Sequence, residues 1–308
     1  MTLYDTVVIG AGPGGLTAAL YLCRFGLKTA LVEKTAAGGQ MLNTFSVDNY
    51  PGYPDGLAGW QLAEHFDQHL KDMDLDRFAS GVQGMSFREQ RHLLHLDSGD
   101  VEAKSVIVCS GASPRKLGLA DEERLTGRGV SYCAMCDGMF FRNKVVALVG
   151  GGNSAIEEAL HLSKLVRKLY VIHRRDRLRA DRIHQEKLAN HCNNVEMVMS
   201  RNVTALHGEK HLTGLTVEPA GGGKPHRLEV DGLFVFIGTT PTSGFLPDTV
   251  ERDDGGFVVT DCEMRTSVPG LFAAGDVRAK QCRQVVTAVG DGATAAYSAF
   301  NYLEGLES

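Results

Sequence analysis

Two cysteines and an aspartate form the segment of this chain with the clearest chemical potential. Cys133 and Cys136 lie three positions apart, and Asp137 follows directly. Two thiols at this spacing can close a small disulfide ring, form half of a zinc site or be unrelated to each other. The carboxyl group beside them is a possible proton donor. The residues around the pair must decide among these three interpretations.

Length and composition narrow the function classes. The 308 residues suffice for two domains, and 43% hydrophobic with 22% charged residues is typical of a globular protein. A net charge of -5 and the lack of a long basic run argue against nucleic-acid or anionic-membrane binding. A strand is predicted within the first residues, which leaves no room for a signal peptide, and no apolar run reaches the ~18 residues that span a bilayer. We therefore expect a cytoplasmic protein.

The seven cysteines argue against a secreted disulfide framework, because their number is odd and most are isolated. No second Cys-x-x-Cys and no His-x-x-x-His near the pair completes a four-ligand zinc site, so we expect no metal. We expect five cysteines to be small buried side chains. These are Cys23, Cys109, Cys192, Cys262 and Cys282.

The N-terminal region has the pattern of a dinucleotide-binding unit. An apolar run at 6–10 is typical of a buried parallel strand, a helix is predicted over 16–25, and a second strand over 29–33. Between the first strand and the helix lies a glycine turn with Gly10, Gly12, Gly14 and Gly15. Such a turn lets the backbone approach a pyrophosphate at the helix N-terminus. The second strand ends in Glu33, which can accept hydrogen bonds from a ribose, so this unit is expected to bind FAD or NAD.

The same order of elements recurs in the middle of the chain. A strand at 144–149, a helix at 156–166 and a strand at 169–172 surround a second glycine turn with the candidate residues Gly150, Gly152, Asn153 and Ser154. The residue that corresponds to Glu33 is His173, and Arg174, Arg175 and Arg179 follow it. Because a planar guanidinium pairs bidentately with phosphate oxygens, this unit is expected to bind the 2′-phosphate of NADPH.

Further candidate features lie outside the two turns. The strand predicted over 270–276 ends in Gly275 and Asp276. An acid there can bind a hydroxyl of a flavin's ribityl-phosphate arm or cap the next element, and the residues alone leave both open. A terminal helix is predicted over 283–302, and its N-terminal dipole could stabilise an anionic reduced flavin. Breaks in the pattern at 110–114 and 239–241 are candidate domain crossings.

Together these motifs resemble those of the low-molecular-weight thioredoxin reductases, the bacterial-type NADPH-dependent flavoenzymes. The resemblance covers essentially the whole chain, and its most specific feature is the Cys133–Cys136 pair just before the second glycine turn. It implies an α/β fold of two Rossmann-like three-layer dinucleotide-binding domains. A discontinuous FAD domain would comprise 1–113 and 242–308, and the inserted NADPH and redox-disulfide domain 114–241. Further FAD contacts are implied at Gly39, Gln40, Asn49, Gly275, Asp276, Arg283 and Gln284.

The resemblance also implies a reaction. A hydride passes from NADPH to FAD, the Cys133–Cys136 disulfide is reduced, and the dithiol reduces oxidised thioredoxin. Cys136 would face the flavin, Cys133 would attack the partner, and Asp137 would be the general acid. The resemblance further implies a homodimer and a rotation about the two crossings.

Two alternatives remain open. One is a related flavin dithiol enzyme with another donor (ferredoxin) or a small-molecule disulfide as acceptor, and the other is a non-catalytic flavin-binding redox sensor. The second glycine turn and its arginines favour NADPH as the donor.

Overall fold

The chain forms two compact units in the computed structural model, which describes residues 2–44, 47, 49–88 and 91–307. Unit 1 contains the residues up to Ser113 and from Thr240 onward, and unit 2 is Pro114–Thr239. The chain therefore leaves unit 1 after Ser113 and re-enters it at Thr240, two residues before the predicted second boundary at 241/242. Unit 1 is assembled from two separate stretches of sequence, with unit 2 inserted between them.

Most strands and helices of the described residues are short. The strands are β1 (Leu3–Ile9), β2 (Thr29–Glu33), β3 (Leu75–Ala79), β4 (Val82–Arg88), β5 (Arg91–Leu96), β6 (Gly99–Val108), β7 (Ala112–Pro114), β8 (Val130–Ser131), β9 (Val145–Gly150), β10 (Lys168–His173), β11 (Val195–Met199), β12 (Arg201–His207), β13 (Gly214–Pro219), β14 (His226–Leu228), β15 (Gly232–Phe236), β16 (Thr239–Pro241) and β17 (Leu271–Ala273). The α-helices are α1 (Pro13–Arg24), α2 (Gly59–Gln68), α3 (Glu122–Leu125), α4 (Ala134–Asp137), α5 (Asn153–Ser163), α6 (Arg182–His191) and α7 (Val285–Glu307). Short 3₁₀ helices occur at Gly39–Asn43, Gly138–Phe141 and Gly275–Val277.

Unit 1 is built around a seven-stranded sheet with the order β3-β2-β1-β6-β5-β4, and β17 also pairs with β6. The pairs among β3, β2, β1, β6 and β17 are parallel, whereas β5 and β4 are added antiparallel. Alternate residues of β1 serve the two faces of the sheet. Val7 and Ile9 belong to one apolar cluster, while Val8 packs in the other with Leu16 of α1. The helices α1 and α7 pack together over that second face.

Unit 2 has a five-stranded parallel sheet with the order β11-β10-β9-β15-β8. A separate antiparallel sheet contains β12, β13 and β14. Buried residues form one apolar cluster with α5 on one face of the parallel sheet and a second cluster with the β12–β14 sheet on the other. Each unit therefore has a layered α/β core. The predicted class, an α/β fold with one unit inserted into a discontinuous one, is confirmed.

Several predicted boundaries differ from the structure. The sequence predicts a helix over 57–73, whereas α2 begins at Gly59 and ends at Gln68. Beyond it, Leu70 N–H donates to the Asp67 carbonyl in a tight turn that still buries the Leu70 side chain. The short helix α4 and the whole of α6 were not predicted, because neither has a clear apolar period. The expectation for the isolated cysteines is wrong for Cys262 and Cys282, which are exposed.

Candidate functional site

Cys133 and Cys136 form a disulfide within unit 2, with their Cα atoms 5.3 Å apart. Cys133 has an extended backbone and precedes α4, so that one helical turn brings its side chain back to Cys136. The Cys133 sulfur accepts a hydrogen bond from the Cys136 backbone N–H at 3.2 Å. In the described residues, no group of three or more His, Cys, Asp or Glu side chains could hold a metal ion. Of the three open interpretations, the bonded pair corresponds to the disulfide ring.

Ser131 fixes both the acid and the backbone beside this pair. Its hydroxyl donates to the Asp137 carboxylate at 2.5 Å, and its oxygen accepts from the Cys133 N–H at 3.1 Å. Ser131 is buried and ends β8, where it pairs with Phe234 of β15. The hydroxyl is thereby held by the sheet, and it orients the Asp137 carboxyl group. The role of Ser131 could not be predicted from the sequence, since a single serine carries no spacing signal.

A buried carboxylate accepts hydrogen bonds from the residue that precedes the cysteine pair and from a more distant loop. Glu122 is 2% exposed, and its side chain accepts hydrogen bonds from the Leu117 and Gly118 N–H groups at 2.8 Å each. The hydroxyl of Tyr132, the residue before Cys133, donates to the same carboxylate at 2.8 Å. Burial, and then the hydrogen bond to Glu122, raises the pKa of Tyr132. The residue before the pair is thus tied to the start of α3, a contact that spacing did not predict.

The surface next to the pair is apolar. Met135 lies between the two cysteines and is 51% exposed, while Met139 is 52% and Phe140 41% exposed. Large exposed apolar side chains that cluster in sequence beside a reactive group mark a surface that another molecule can cover. Unit 2 therefore presents the disulfide on an apolar surface.

The first glycine turn requires glycine at its ends. A Cβ at Gly10 would lie 2.5 Å from the Cys109 carbonyl oxygen, and a Cβ at Gly15 only 1.8 Å from the Gly10 oxygen. Gly14 packs against Ala288 of α7, where a Cβ would lie 3.1 Å from the carbonyl oxygen. By contrast, nothing lies within 4 Å of a Cβ at Gly12. The turn is closed at its base and open at Gly12, in front of the α1 N-terminus. This open cradle fits a pyrophosphate.

Glu33 lies against this turn. One carboxylate oxygen accepts from the Ala11 N–H at 2.8 Å, and the other accepts from the Thr35 N–H at 2.9 Å and the Thr35 hydroxyl at 3.1 Å. These bonds fix the carboxylate, and the oxygen that accepts only from Ala11 has a second lone pair for a further donor. The position and remaining acceptor capacity of Glu33 fit a ribose hydroxyl.

Distant stretches of sequence meet elsewhere in unit 1. The Asn49 amide donates to the Gln284 side-chain oxygen at 3.0 Å across 235 positions. Arg283, just before α7, lies over the Phe257 ring with its guanidinium carbon 4.2 Å from the ring centre. A Cβ at Gly39 would lie 3.1 Å from Gly12 Cα, so Gly39 is adjacent to the glycine turn. Gln40 follows in the 3₁₀ helix and is exposed.

Asp276 lies in the 3₁₀ helix that follows β17, directly after Gly275. Its Oδ1 atom is buried and has no hydrogen-bond partner within the described part of the chain. Burial raises the pKa of Asp276, whereas the cations Lys280 and Arg283 lower it. A buried acceptor without a donor needs an explanation, and a ligand hydroxyl would supply one. Together with the open Gly12 cradle and Glu33, this atom makes the residues of unit 1 fit FAD.

The second glycine turn has a related geometry in unit 2. A Cβ at Gly150 would lie 2.5 Å from the Phe236 carbonyl oxygen, while nothing lies within 4 Å of a Cβ at Gly152. Asn153 exchanges two hydrogen bonds with Asp181, at 2.9 Å and 2.7 Å. Ser154 is exposed in the first turn of α5. This turn is also open in front of a helix N-terminus.

The residue at the end of β10 contacts this second turn. His173 is 6% exposed, and a Cβ at Gly151 would lie 2.5 Å from the His173 ring. Burial, and then the neighbouring Arg179, lowers the pKa of His173. The Arg179 backbone N–H donates to the Gly151 carbonyl at 2.7 Å, which joins the arginine loop to the turn.

The cations that follow His173 are on the surface. The guanidinium-bearing residues Arg174, Arg175 and Arg179 are all exposed. Arg177 is exposed in the same loop and was not among the predicted ligands. A cationic loop beside an open glycine turn fits a nucleotide that carries an extra phosphate.

The predicted residues divide between the two units. The glycines and acids assigned to FAD all lie in unit 1, whereas the cysteine pair and the residues assigned to NADPH lie in unit 2. No helix in the described residues has the length and apolar character needed to cross a membrane.

Comparisons with known proteins agree with this geometry. The pyridine nucleotide-disulphide oxidoreductase family matches residues 4–292. A thioredoxin reductase of Treponema pallidum is 42% identical over 309 residues, which cover 100% of this chain and 99% of that protein. A thioredoxin reductase of Listeria monocytogenes is 41% identical, with 99% of this chain and 95% of that protein covered.

A solved structure is similar at the level of the fold. The crystal structure of thioredoxin reductase from Streptococcus pyogenes superposes with a TM-score of 0.92 at 41% identity, and the match covers 98% of this chain and 99% of that chain. The chain therefore belongs to the thioredoxin reductases within the pyridine nucleotide-disulphide oxidoreductase family, whose members use FAD and NADPH.

Proposed function

We propose that this protein is an NADPH-dependent flavoprotein that reduces the disulfide of thioredoxin. The observation that carries the proposal is the Cys133–Cys136 disulfide, which lies in the unit with the arginine-rich nucleotide turn. When bound, FAD would supply the two-electron relay between NADPH and this disulfide.

The residues of unit 1 hold FAD. The open backbone at Gly12 and the N-terminus of α1 bind the pyrophosphate, and Glu33 accepts hydrogen bonds from the ribose. Asp276 accepts from a hydroxyl of the ribityl arm through Oδ1, which has no hydrogen-bond partner in the described residues. The joined Asn49 and Gln284 side chains bind the flavin ring.

Arg283 and the segment of Gly39 and Gln40 complete the flavin contacts. Phe257 supports the Arg283 guanidinium from one side, and the buried Nε–H, which has no hydrogen-bond partner in the described residues, remains for the flavin. Gly39 lies against Gly12, so the segment can reach the turn that binds the pyrophosphate.

The residues of unit 2 hold NADPH. Gly152 and the first turn of α5, with Asn153 and Ser154, bind the pyrophosphate. Arg174 and Arg175, together with Arg179, bind the 2′-phosphate through charge-assisted hydrogen bonds. The His173 ring packs against Gly151 and so stabilises the glycine turn.

The reduced pair then exchanges its disulfide with the partner. The Cys133 thiolate attacks one sulfur of the partner disulfide, which forms a mixed disulfide and releases the other partner sulfur as a thiolate. The Cys136 thiolate attacks the Cys133 sulfur, re-forms the internal disulfide and releases the second partner thiolate. Asp137, oriented by Ser131, supplies a proton at the departing sulfur.

A protein partner suits the apolar surface beside the pair. Met135, Met139 and Phe140 can be covered by the partner while its disulfide reaches Cys133. We expect Met139→Glu to raise KM for thioredoxin about tenfold, because a charge would be buried in the contact, without changing the reduction of a small aromatic disulfide. Equal losses with both acceptors would contradict a protein docking surface here.

We also infer a homodimer through unit 1. Tyr21 of α1 and Tyr297 of α7 are 41% and 58% exposed, and both rings contact Phe25. An exposed aromatic face on two packed helices suits an interface between two copies. Light scattering should give twice the chain mass for the protein and a lower mass for Tyr297→Glu. A monomeric parent protein would refute the interface.

We propose a cytoplasmic location, which the thiol chemistry supports. Five cysteines are free, as suits a compartment that keeps thiols reduced. Fractionation of the source cells should recover the protein with cytoplasmic markers, and recovery with secreted proteins would refute this.

The central test is an anaerobic titration. Purified protein mixed with NADPH should lose its yellow flavin absorbance, and oxidised thioredoxin should then restore it. If NADPH does not bleach the flavin and reduced ferredoxin does, the proposed electron donor is wrong. If the flavin bleaches and thioredoxin stays oxidised, the acceptor is wrong.

A variant separates the two half-reactions. Cys136→Ser should still bleach with NADPH and should lose thioredoxin reduction altogether, because the internal disulfide cannot re-form. Loss of bleaching as well would show that Cys136 has another role, and Cys192→Ser is the control for thiol removal elsewhere in unit 2.

A further inference from the structure

We propose that Lys280 and Asp291 are positioning residues that control the charge of Asp276 in opposite directions, and that they thereby set how firmly unit 1 retains FAD as the pH falls. The inference rests on the proposed FAD site. It assigns roles to two residues that are outside the glycine turns and that neither motif nor spacing indicates.

Asp291 joins α7 to the loop that carries Asp276. Its Oδ2 atom accepts from the Gly275 backbone N–H at 3.0 Å and from the Lys280 ammonium at 3.0 Å. Its Oδ1 atom accepts from Arg278 at 2.9 Å. The side chain is 13% exposed, so these contacts are largely shielded from water. One carboxylate therefore fixes the loop on both sides of Asp276.

Lys280 lies between two carboxylates. Its ammonium is 3.0 Å from Asp291 Oδ2 and 3.7 Å from Asp276 Oδ1, and it donates to the Thr287 hydroxyl at 3.3 Å. The side chain is 11% exposed. A nearly buried ammonium is stable only when anions and acceptors compensate its charge. The same cation thus compensates both acids.

The charges around Asp276 can be assigned individually. Lys280 and Arg283 are the cations that face it, and Asp291 is the anion that faces it. The guanidinium of Arg278 donates to Asp291 and to the Thr260 hydroxyl. The helix α1, which contacts the 3₁₀ segment, has no charged side chain before Arg24.

These neighbours act on Asp276 with different signs. Burial raises the pKa of Asp276, Lys280 is the strongest influence that lowers it, and Asp291 raises it. An ionised carboxylate accepts a shorter and stronger hydrogen bond from a hydroxyl than a neutral one does. FAD retention should therefore decline as Asp276 becomes protonated, and the pH of that decline should depend on Lys280 and Asp291.

The experiment measures FAD release in two variants that should change the pKa of Asp276 in opposite directions. Free flavin fluorescence is measured in holoenzyme between about pH 8 and about pH 4, with circular dichroism to confirm the folded state at each pH. For Lys280→Met we expect FAD to dissociate about tenfold more readily near pH 7 and the release midpoint to move to higher pH. For Asp291→Asn we expect the midpoint to move to lower pH.

The control is Lys104→Met, which removes a lysine from a surface pair with Asp5 in the same unit and should leave the midpoint unchanged. Lys280→Arg should restore most of the retention, which keeps the test valid if a variant folds poorly. Midpoints that move in the same direction for Lys280→Met and Asp291→Asn would overturn the proposal, as would midpoints equal to that of the parent protein. Parent protein that never binds FAD would instead refute the proposed function.

Discussion

The two glycine turns share a design and differ in how closely the helix approaches. In both, the first glycine lies against a carbonyl of a neighbouring strand end, 2.5 Å from a hypothetical Cβ at Gly10 and at Gly150. The turn of unit 1 then has Gly15, where a Cβ would lie 1.8 Å from the Gly10 oxygen. Unit 2 has Ala155 at the corresponding position. The first turn is therefore the tighter one, because only it requires glycine at the helix.

The residues at the ends of β2 and β10 differ in chemistry, although each contacts the second residue of its glycine turn. Glu33 accepts a hydrogen bond from the Ala11 N–H, and His173 packs its ring on Gly151. One turn is thus bordered by an anion and the other by an imidazole followed by exposed arginines. A common backbone scaffold thus carries different side chains at the strand end and just after it, and the proposed difference in bound nucleotide rests on them.

The largest expected effect comes from closing the tighter turn. Gly15→Ala would place a methyl group 1.8 Å from a backbone oxygen, which neither backbone can relieve without moving α1. We expect a loss of more than about 3 kcal/mol in the free energy of unfolding and protein without bound FAD. Flavin content and urea unfolding measure both.

The matched change in the other turn is Ala155→Gly. It removes a methyl group from the start of α5, so we expect only about 1 kcal/mol of destabilisation, with FAD content unchanged. Equal effects of the two substitutions would mean that the turns are equally tight.

The next largest effect concerns the cationic loop. Arg174→Ala combined with Arg175→Ala should weaken NADPH about 100-fold, because two charge-assisted contacts to the 2′-phosphate are lost. NADH, which lacks that phosphate, should be used as before. Rates of anaerobic flavin reduction with each nucleotide provide the measurement, with Arg201→Ala as the control. A parallel loss with NADH would assign the arginines to the fold.

A smaller effect is expected at the other strand end. Glu33→Gln keeps the size of the side chain and replaces one acceptor oxygen by a donor, so it cannot retain all three bonds to Ala11 and Thr35. We expect FAD binding to weaken about tenfold, measured by flavin fluorescence after dilution. Glu64→Gln on the exposed side of α2 is the control. Unchanged affinity would remove the ribose role from Glu33.

The smallest expected effect is a loss of stability at acid pH that comes from the core of unit 1 and does not involve the nucleotide sites. His92 of β5 is fully buried in unit 1, and burial lowers its pKa to about 4. The unfolded chain binds a proton near pH 6.5, and the folded chain does so only near pH 4. Stability due to this group is therefore present above pH 6.5 and is lost as the pH falls towards 4.

As the pH falls from about 7.5 to about 6, the free energy of unfolding should decrease by about 1 kcal/mol because of His92, which is protonated in the unfolded chain and stays neutral in the folded one. His92→Leu should remove that part of the slope in urea unfolding experiments. His95→Leu, in the same strand with a 45% exposed side chain, should not. An unchanged slope in His92→Leu would place the acid sensitivity elsewhere.

Much of the fold was accessible from local pattern. The strand predicted over 29–33 coincides with β2, and both glycine turns lie between the predicted strands and helices. These features depend on residues close in sequence, for which apolar spacing and glycine position are informative. By contrast, α6 has few buried apolar residues, so its helical state was not visible in the pattern.

The candidate site was accessible in part. The two cysteines, Glu33 and the arginines were predicted as site residues because they stand at fixed offsets from a motif. Ser131, Glu122 and Lys280 were not, since each acts through contacts that have no offset rule. Their roles depend on hydrogen bonds that form only when strands and helices pack.

The sequence by itself determined the chemistry that is present. A cysteine pair, one nucleotide turn followed by an acid and another followed by cations can be read from adjacent residues, because each signature lies within about one βαβ unit. Only the tertiary structure decided which distant groups meet. Asn49 reaches Gln284 across 235 positions, and Asp291 of the last helix fixes the loop of Asp276. Such contacts form only when segments that are far apart in the sequence come together, and residue spacing does not predict which segments these are.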